Sequence, residues 1–161
     1  MAPEHKISMS RSLWDNLVAD LVRRGDGVRE SGAFLLGEVH RGRREVSQYV
    51  PYDELEPGCL DDGYINFTAA GYRKLWKVLK ECQLEVVADI HTHPRGPGQS
   101  STDRDNPMMP SAGHMGFILP NYAQGQPAPQ DAALYVFEGN QQWTAYQPGG
   151  SAKKFYVGFW S

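Results

Sequence analysis

The sequence predicts an α/β domain in which a mixed, mostly antiparallel sheet is flanked by two main helices. Three observations predict it. Two stretches carry apolar residues at helical spacing. Short apolar runs closed by glycine or proline lie around them. Gly139-Asn140 stands between two such runs as a two-residue hairpin signal. With 161 residues, 40% of them hydrophobic, the chain can fill one core but not two large ones, so residues 1–161 read as a single domain.

The elements follow in order. Arg11 to Arg24 reads as a helix because Leu13, Trp14, Leu17, Val18, Leu21 and Val22 form one apolar face, with Gly25 and Gly27 to end it. Ala33 to Leu36 is an apolar run stopped by Gly37. It suits a buried strand, with Glu45 to Val50 as antiparallel partner across a turn at residues 40–43. Pro51 to Gly63 reads as an acidic loop and Tyr64 to Phe67 as a short strand. Thr68 is a good N-cap for a second helix marked by Tyr72, Leu75, Trp76, Leu79 and Cys82. Glu85 to His93 reads as a strand, Gly96 to Pro110 as a loop, Met115 to Leu119 as a strand and Pro120 to Pro129 as a flexible connection. Ala132 to Glu138 and Gln141 to Tyr146 form the hairpin, and Phe155 to Phe159 reads as a last edge strand.

Composition excludes several function classes. A formal net charge of -3 lacks the basic excess of nucleic-acid binders, and Arg41, Arg43 and Arg44 read as a solvated turn. No run is long enough to span a bilayer, and Met1 to Met9 lacks the apolar stretch of a secretory signal, so no membrane role is expected. Two cysteines, Cys59 in a loop and Cys82 on a helix face, make no disulfide framework and no C-x-x-C pair; a reducing cytoplasm fits. The tryptophans are too dispersed for a cofactor box, and His5 and His40 read as exposed.

The informative stretch runs from Ile90 to Asp103. His91 and His93 are two apart at the end of a strand, so both imidazoles point to one face. Pro94 ends the strand, and the loop can return Asp103 to the same point. Two neutral imidazoles and a carboxylate suit Zn²⁺, and three protein ligands leave a fourth position open for water, the mark of a catalytic site. Such a water needs a carboxylate base close to the metal, and an oxyanion needs a donor, for which the Ser100 hydroxyl is placed. A lone His-x-His in a strand is more often two polar residues on one face; it is Pro94, Ser100 and Asp103 together that lift this one above that reading.

His91-Thr92-His93-Pro94, a short loop, then Ser100-x-x-Asp103 resembles the JAMM signature of the JAB/MPN metalloproteases. Glu30-Ser31-Gly32-Ala33-Phe34-Leu35-Leu36-Gly37 resembles the family's upstream glutamate and apolar strand. The likeness covers roughly Ser8 to Tyr146 and implies a cytidine-deaminase-like MPN fold. It implies one zinc held by His91, His93 and Asp103, with Glu30 as general base and acid and Ser100 as oxyanion donor. The implied activity is isopeptide or peptide cleavage after the C-terminal glycine of a ubiquitin-like modifier, by deconjugation or precursor processing. Stand-alone prokaryotic members of this family keep company with E1-like and E2-like proteins, sometimes in antiviral systems.

Two departures accompany the match. Six residues separate His93 from Ser100, one fewer than in the commonest form, which leaves Ser101 with Asp105 as a second register. Asp89 replaces a bulky apolar residue; sharing a face with His91, it is expected to accept a hydrogen bond from that ring's far side. His114, ahead of a strand, reads as structural. The alternative function is a non-catalytic MPN scaffold working by protein–protein contact, against which the full ligand set counts. A two-His-one-carboxylate iron enzyme is a third reading, but it gives no reason for Glu30 or Ser100.

Overall fold

A computed structural model describes residues 6–158. In chain order the elements are β1 Lys6–Ser10, α1 Arg11–Gly25, β2 Gly32–His40, β3 Arg43–Pro51, α2 Tyr52–Leu55 and α3 Ala69–Cys82. Then come β4 Glu85–Thr92, α4 Ser101–Asp105, β5 Met115–Leu119, β6 Ala133–Gly139, β7 Gln142–Tyr146 and β8 Phe155–Gly158.

Hydroxyl side chains start both long helices. Ser10 accepts a hydrogen bond from the Leu13 amide ahead of α1, and Thr68 from the Ala70 amide ahead of α3. Left-handed residues end them, Asp26 at φ 51° after α1 and Gln83 at φ 57° after α3.

The eight strands form one mixed sheet in the order β7-β6-β5-β4-β2-β3-β1-β8. Four neighbouring pairs are antiparallel, and β1–β3, β1–β8 and β4–β5 are parallel. Helices cover both faces. Trp14, Leu17 and Leu21 of α1 pack with Ala33, Leu35, Ile90 and Phe117 on one side. Leu75 of α3 packs with Phe34, Leu36, Tyr52 and Leu60 on the other. Burial on both faces is why the β2 sequence is a continuous apolar run and does not alternate.

One irregularity in β4 bears on function. Leu35 pairs with Ala88 but Leu36 with Val86, so Val87 is an extra residue in that strand. The shift sends Val86 to the α3 side and both Val87 and Ala88 to the α1 side. Strict alternation then resumes, with Ile90 in the α1 core while Asp89 and His91 line a cavity on the opposite face.

The structure corrects several sequence expectations. Lys6–Ser10, assigned no element from sequence, is a strand; Ile7 and Met9 are buried, and the strand lies between β3 and β8. Residues 51–63 are not a free loop: they contain α2 and bury Tyr52, Leu55, Cys59 and Leu60. Residues 64–67 are not a strand; Phe67 packs its ring against Phe34 and Tyr72. The connection after β5 buries Ala123 and Pro129, and Asn121, Tyr122 and Ala123 are three consecutive left-handed residues. Cys59 is a free thiol as expected but buried, while Cys82 is half-buried on α3. Strand β8 is the expected edge strand, its Phe155 buried against Trp14 and Phe117. The expectations for His5, Phe159 and Trp160 lie outside the described residues. Among the described residues no helix is long and apolar enough to cross a membrane.

Candidate metal centre

The end of β4, the turn before β2 and the N-terminus of α4 meet at one point. His91 lies in β4, and His93 continues the strand by donating its amide to the Leu119 carbonyl at 2.9 Å. Its own carbonyl accepts from the Tyr122 amide at 2.8 Å, so the left-handed turn after β5 fixes the backbone at this ligand. The two imidazoles face each other with their Nε2 atoms 3.0 Å apart.

Asp103 closes the group. Its Oδ1 lies 3.4 Å from His91 Nε2 and its Oδ2 lies 3.2 Å from His93 Nε2. One donor atom from each of His91, His93 and Asp103 falls within 4.8 Å of the others, a set that can hold a metal ion. The chemistry of the set fits. Two ring nitrogens at 3.0 Å cannot both present a proton to each other, whereas both can turn a lone pair toward one cation.

Local sequence explains how Asp103 gets there. Ser100 is the N-cap of α4 and Asp103 is its third residue, a capping box. The Ser100 hydroxyl donates to Asp103 Oδ2 at 2.8 Å, the Ser100 amide donates to the same oxygen at 2.8 Å, and the Asp103 amide donates to Ser100 Oγ at 3.1 Å. The carboxylate that meets the imidazoles is therefore that of Asp103. Asp105, in the second register, lines the neighbouring cavity and is not in the converging set.

The loop carrying α4 is tied to the β6–β7 hairpin. Tyr135 Oη donates to the Pro97 carbonyl and accepts from the Gln99 amide, both at 3.1 Å. Trp143 Nε1 donates to the Arg104 carbonyl at 3.1 Å. Neither residue carried a local sequence signal for this; they were read only as hairpin positions.

Glu30 lies two residues before β2, its Oε1 3.9 Å from His93 Nε2. Its amide donates to the Gly63 carbonyl at 2.9 Å, so the segment after α2 sets its position. Burial raises the Glu30 carboxyl, against the lowering effect of His91 and His93; Asp103 adds to the rise and an Ile65 backbone hydrogen bond opposes it. Burial would also raise Asp103, but hydrogen bonds from His91 and His93 outweigh it and hold that carboxyl far below the usual carboxylate range. For His91, burial disfavours the charged ring, and the hydrogen bond and charge of Asp103, with Asp89 and Glu30 behind it, raise it nonetheless.

Asp89 shares the His91 face, but its hydrogen bonds go elsewhere. Oδ1 pairs with His114 Nε2 at 2.6 Å and Oδ2 accepts from Tyr52 Oη at 3.1 Å, all three residues being buried. The expected bond to His91 is replaced because β4 directs Asp89 toward α2 and the segment before β5. His91 and Asp103 open onto a cavity of about 880 Å³ that Glu30, Asp89 and Ser100 also line.

No protein-family model matches the sequence. The fold is shared with solved structures. A protein from Desulfitobacterium hafniense, determined in solution, is similar with a TM-score of 0.66 at 15% identity, over 96% of this chain and 94% of that one. A protein from Salinibacter ruber, also determined in solution, has a TM-score of 0.54 at 20% identity, over 85% of this chain and 86% of that one. At these identities the likeness is one of fold.

Proposed function

We propose that this chain is a JAB/MPN-type zinc metallopeptidase, an isopeptidase or peptidase that cleaves after the C-terminal glycine of a ubiquitin-like modifier. The observation that carries the reading is the placement of Glu30, a half-buried carboxylate that faces His93 at 3.9 Å without joining the converging His91, His93 and Asp103. A metal site needs only the three ligands; a fourth, separate acid beside them suits proton transfer.

In this reading His91, His93 and Asp103 hold one zinc ion. When bound, zinc supplies Lewis acidity toward a carbonyl and brings the pKa of water to about 7. The chain's own residues do the rest. Glu30 Oε1 takes the proton of the attacking water and returns it to the departing amine, a role its burial-raised carboxyl suits. Ser100 holds Asp103 in its ligating orientation through the capping box. Its service as oxyanion donor requires the hydroxyl to leave Asp103 when substrate enters. The wide cavity admits an extended chain end, and the exposed β7 strand offers backbone groups for strand addition.

The company implied is a ubiquitin-like protein or its conjugates, with E1-like and E2-like proteins of the same pathway, in the cytoplasm. The test is metal analysis by plasma mass spectrometry on the purified chain, followed by cleavage of ubiquitin-like fusions. One zinc per chain, lost in Asp103→Ala, with cleavage lost in Glu30→Gln, supports the reading. One zinc per chain without cleavage of any glycine-ended fusion moves the assignment to a non-catalytic scaffold.

A further inference from the structure

The cavity does not end at His91 and Asp103. It continues along the sheet face to the Asp89 carboxylate, which is 4% exposed yet lines the wall. Asp89 spends one acceptor position on His114 and one on Tyr52. A carboxylate offers about four, so acceptor capacity remains.

The neighbouring strand leaves that carboxylate open. Gly116 is the cross-strand partner of Asp89, and a Cβ placed there would lie 3.4 Å from Asp89 Oδ1. Any larger side chain at position 116 would project into the cavity over the carboxylate. The cavity walls include Tyr52, which bonds Asp89, and Tyr72, Tyr135 and Trp143. The residues lining the cavity include Glu30, Asp89, Asp103 and Asp105 but no lysine or arginine.

A carboxylate at the end of an aromatic-walled recess attracts a cation more strongly than one in open water, and aromatic faces add to that attraction. The histidines beside these carboxylates are His91 in the lining and His114 on Asp89. The geometry points to a second binding subsite, an aromatic-walled chamber beside His91, floored by Asp89 and kept open by Gly116, that takes a cationic side chain. It rests on the proposed function only for what delivers the cation. A glycine-ended tail has no side chain to fill the chamber, so the cation belongs to the amine-bearing target side of the substrate, as a lysine or arginine next to the cleaved bond.

The test uses the whole chain and needs no cleavage. Nα-acetyl-lysine amide and its uncharged isostere, the amide of Nα-acetyl-2-aminoheptanoic acid, are titrated into ¹⁵N-labelled protein, both chelator-treated and zinc-loaded. The lysine probe is expected to shift the Gly116 and Tyr135 amides in both forms, with the isostere about tenfold weaker, a factor equivalent to about 1.4 kcal/mol. Gly116→Leu is expected to lose the Tyr135 shift while keeping the parent's metal content and circular dichroism. Equal binding of the isostere, shifts confined to residues away from Gly116, or no response at millimolar lysine probe would overturn the subsite. Because binding is read without catalysis, a chain that proves not to be a peptidase leaves this result standing, and an active peptidase can still fail it.

Discussion

Ser100 Oγ donates to Asp103 Oδ2 at 2.8 Å, so the bond that caps a five-residue helix also aims the carboxylate that meets His91 and His93. Removing the hydroxyl takes away both effects. Ser100→Ala is expected to weaken metal binding by about 10- to 100-fold, the usual cost of losing a partner behind a ligand. It should cost about 1 kcal/mol of stability through the lost cap. Competition with a zinc-responsive dye and a thermal melt read the two separately. Unchanged metal affinity with a fall in turnover alone would assign the hydroxyl to the oxyanion.

Glu30 touches the centre at 3.9 Å from His93 and holds no position in the ligand set. Glu30→Gln is expected to keep the parent's zinc content and lose about 10²- to 10⁴-fold in cleavage rate, the range of a general acid–base group. Metal analysis and single-turnover cleavage of a ubiquitin-like fusion check this. Full activity in the variant would remove Glu30 from the mechanism.

Gly32 lets β2 and β4 approach beside the site. A Cβ there would lie 2.4 Å from Tyr52 Cε2, 2.7 Å from the Ile90 carbonyl oxygen and 2.9 Å from His91 Cβ. Two of these neighbours cannot yield without moving the ligand strand. Gly32→Ala is expected to destabilise by about 1–3 kcal/mol and to weaken metal binding. Chemical denaturation and dye competition measure both, and a neutral result would show that the strands separate freely.

Cys59 is buried, and burial pushes its thiol up to about 12, with the charges of Asp53, Glu56 and Asp61 adding to the rise. The unfolded chain releases this proton near its ordinary value of 9 while the folded chain keeps it. Stability is therefore fully present below about pH 9 and falls as pH rises toward about 12. Cys59→Ala should flatten that decline. Iodoacetamide at pH 8 should leave Cys59 unmodified in the native chain and label it in denaturant, as read by mass spectrometry.

Tyr135 anchors the ligand-bearing loop through two 3.1 Å bonds to Pro97 and Gln99. Tyr135→Phe is expected to lose about 1–2 kcal/mol, with the loss concentrated in metal affinity because the loop carries Asp103. Isothermal titration with zinc checks it. Equal affinity in the variant would show that the capping box alone places the ligand.

Much of the scaffold was legible because its signals are local. The helical spacing of Trp14, Leu17 and Leu21, the N-cap Thr68 and the hairpin signal at Gly139-Asn140, whose turn falls one residue later at Asn140-Gln141, each act within a few residues. The alternation of Ile7 and Met9 was also present, but two apolar residues in a five-residue polar stretch do not mark a strand until parallel partners β3 and β8 are supplied. Tyr52 showed nothing locally; its burial against Phe34 and its bond to Asp89 come from elements 18 and 37 residues away.

The same division runs through the site. The sequence by itself determined that His91 and His93 share a face, because strand side chains alternate, and that Ser100 and Asp103 can cap each other, because three residues span one helical turn. Only the tertiary structure decided that Asp89 turns to His114 and Tyr52, that Glu30 stops 3.9 Å from His93, and that Tyr135 and Trp143 pin the loop bearing Asp103. Those relationships join strands that are neighbours in space and distant in the chain. Sheet order, the extra residue at Val87 and packing from both faces set them, and no local preference encodes such distances.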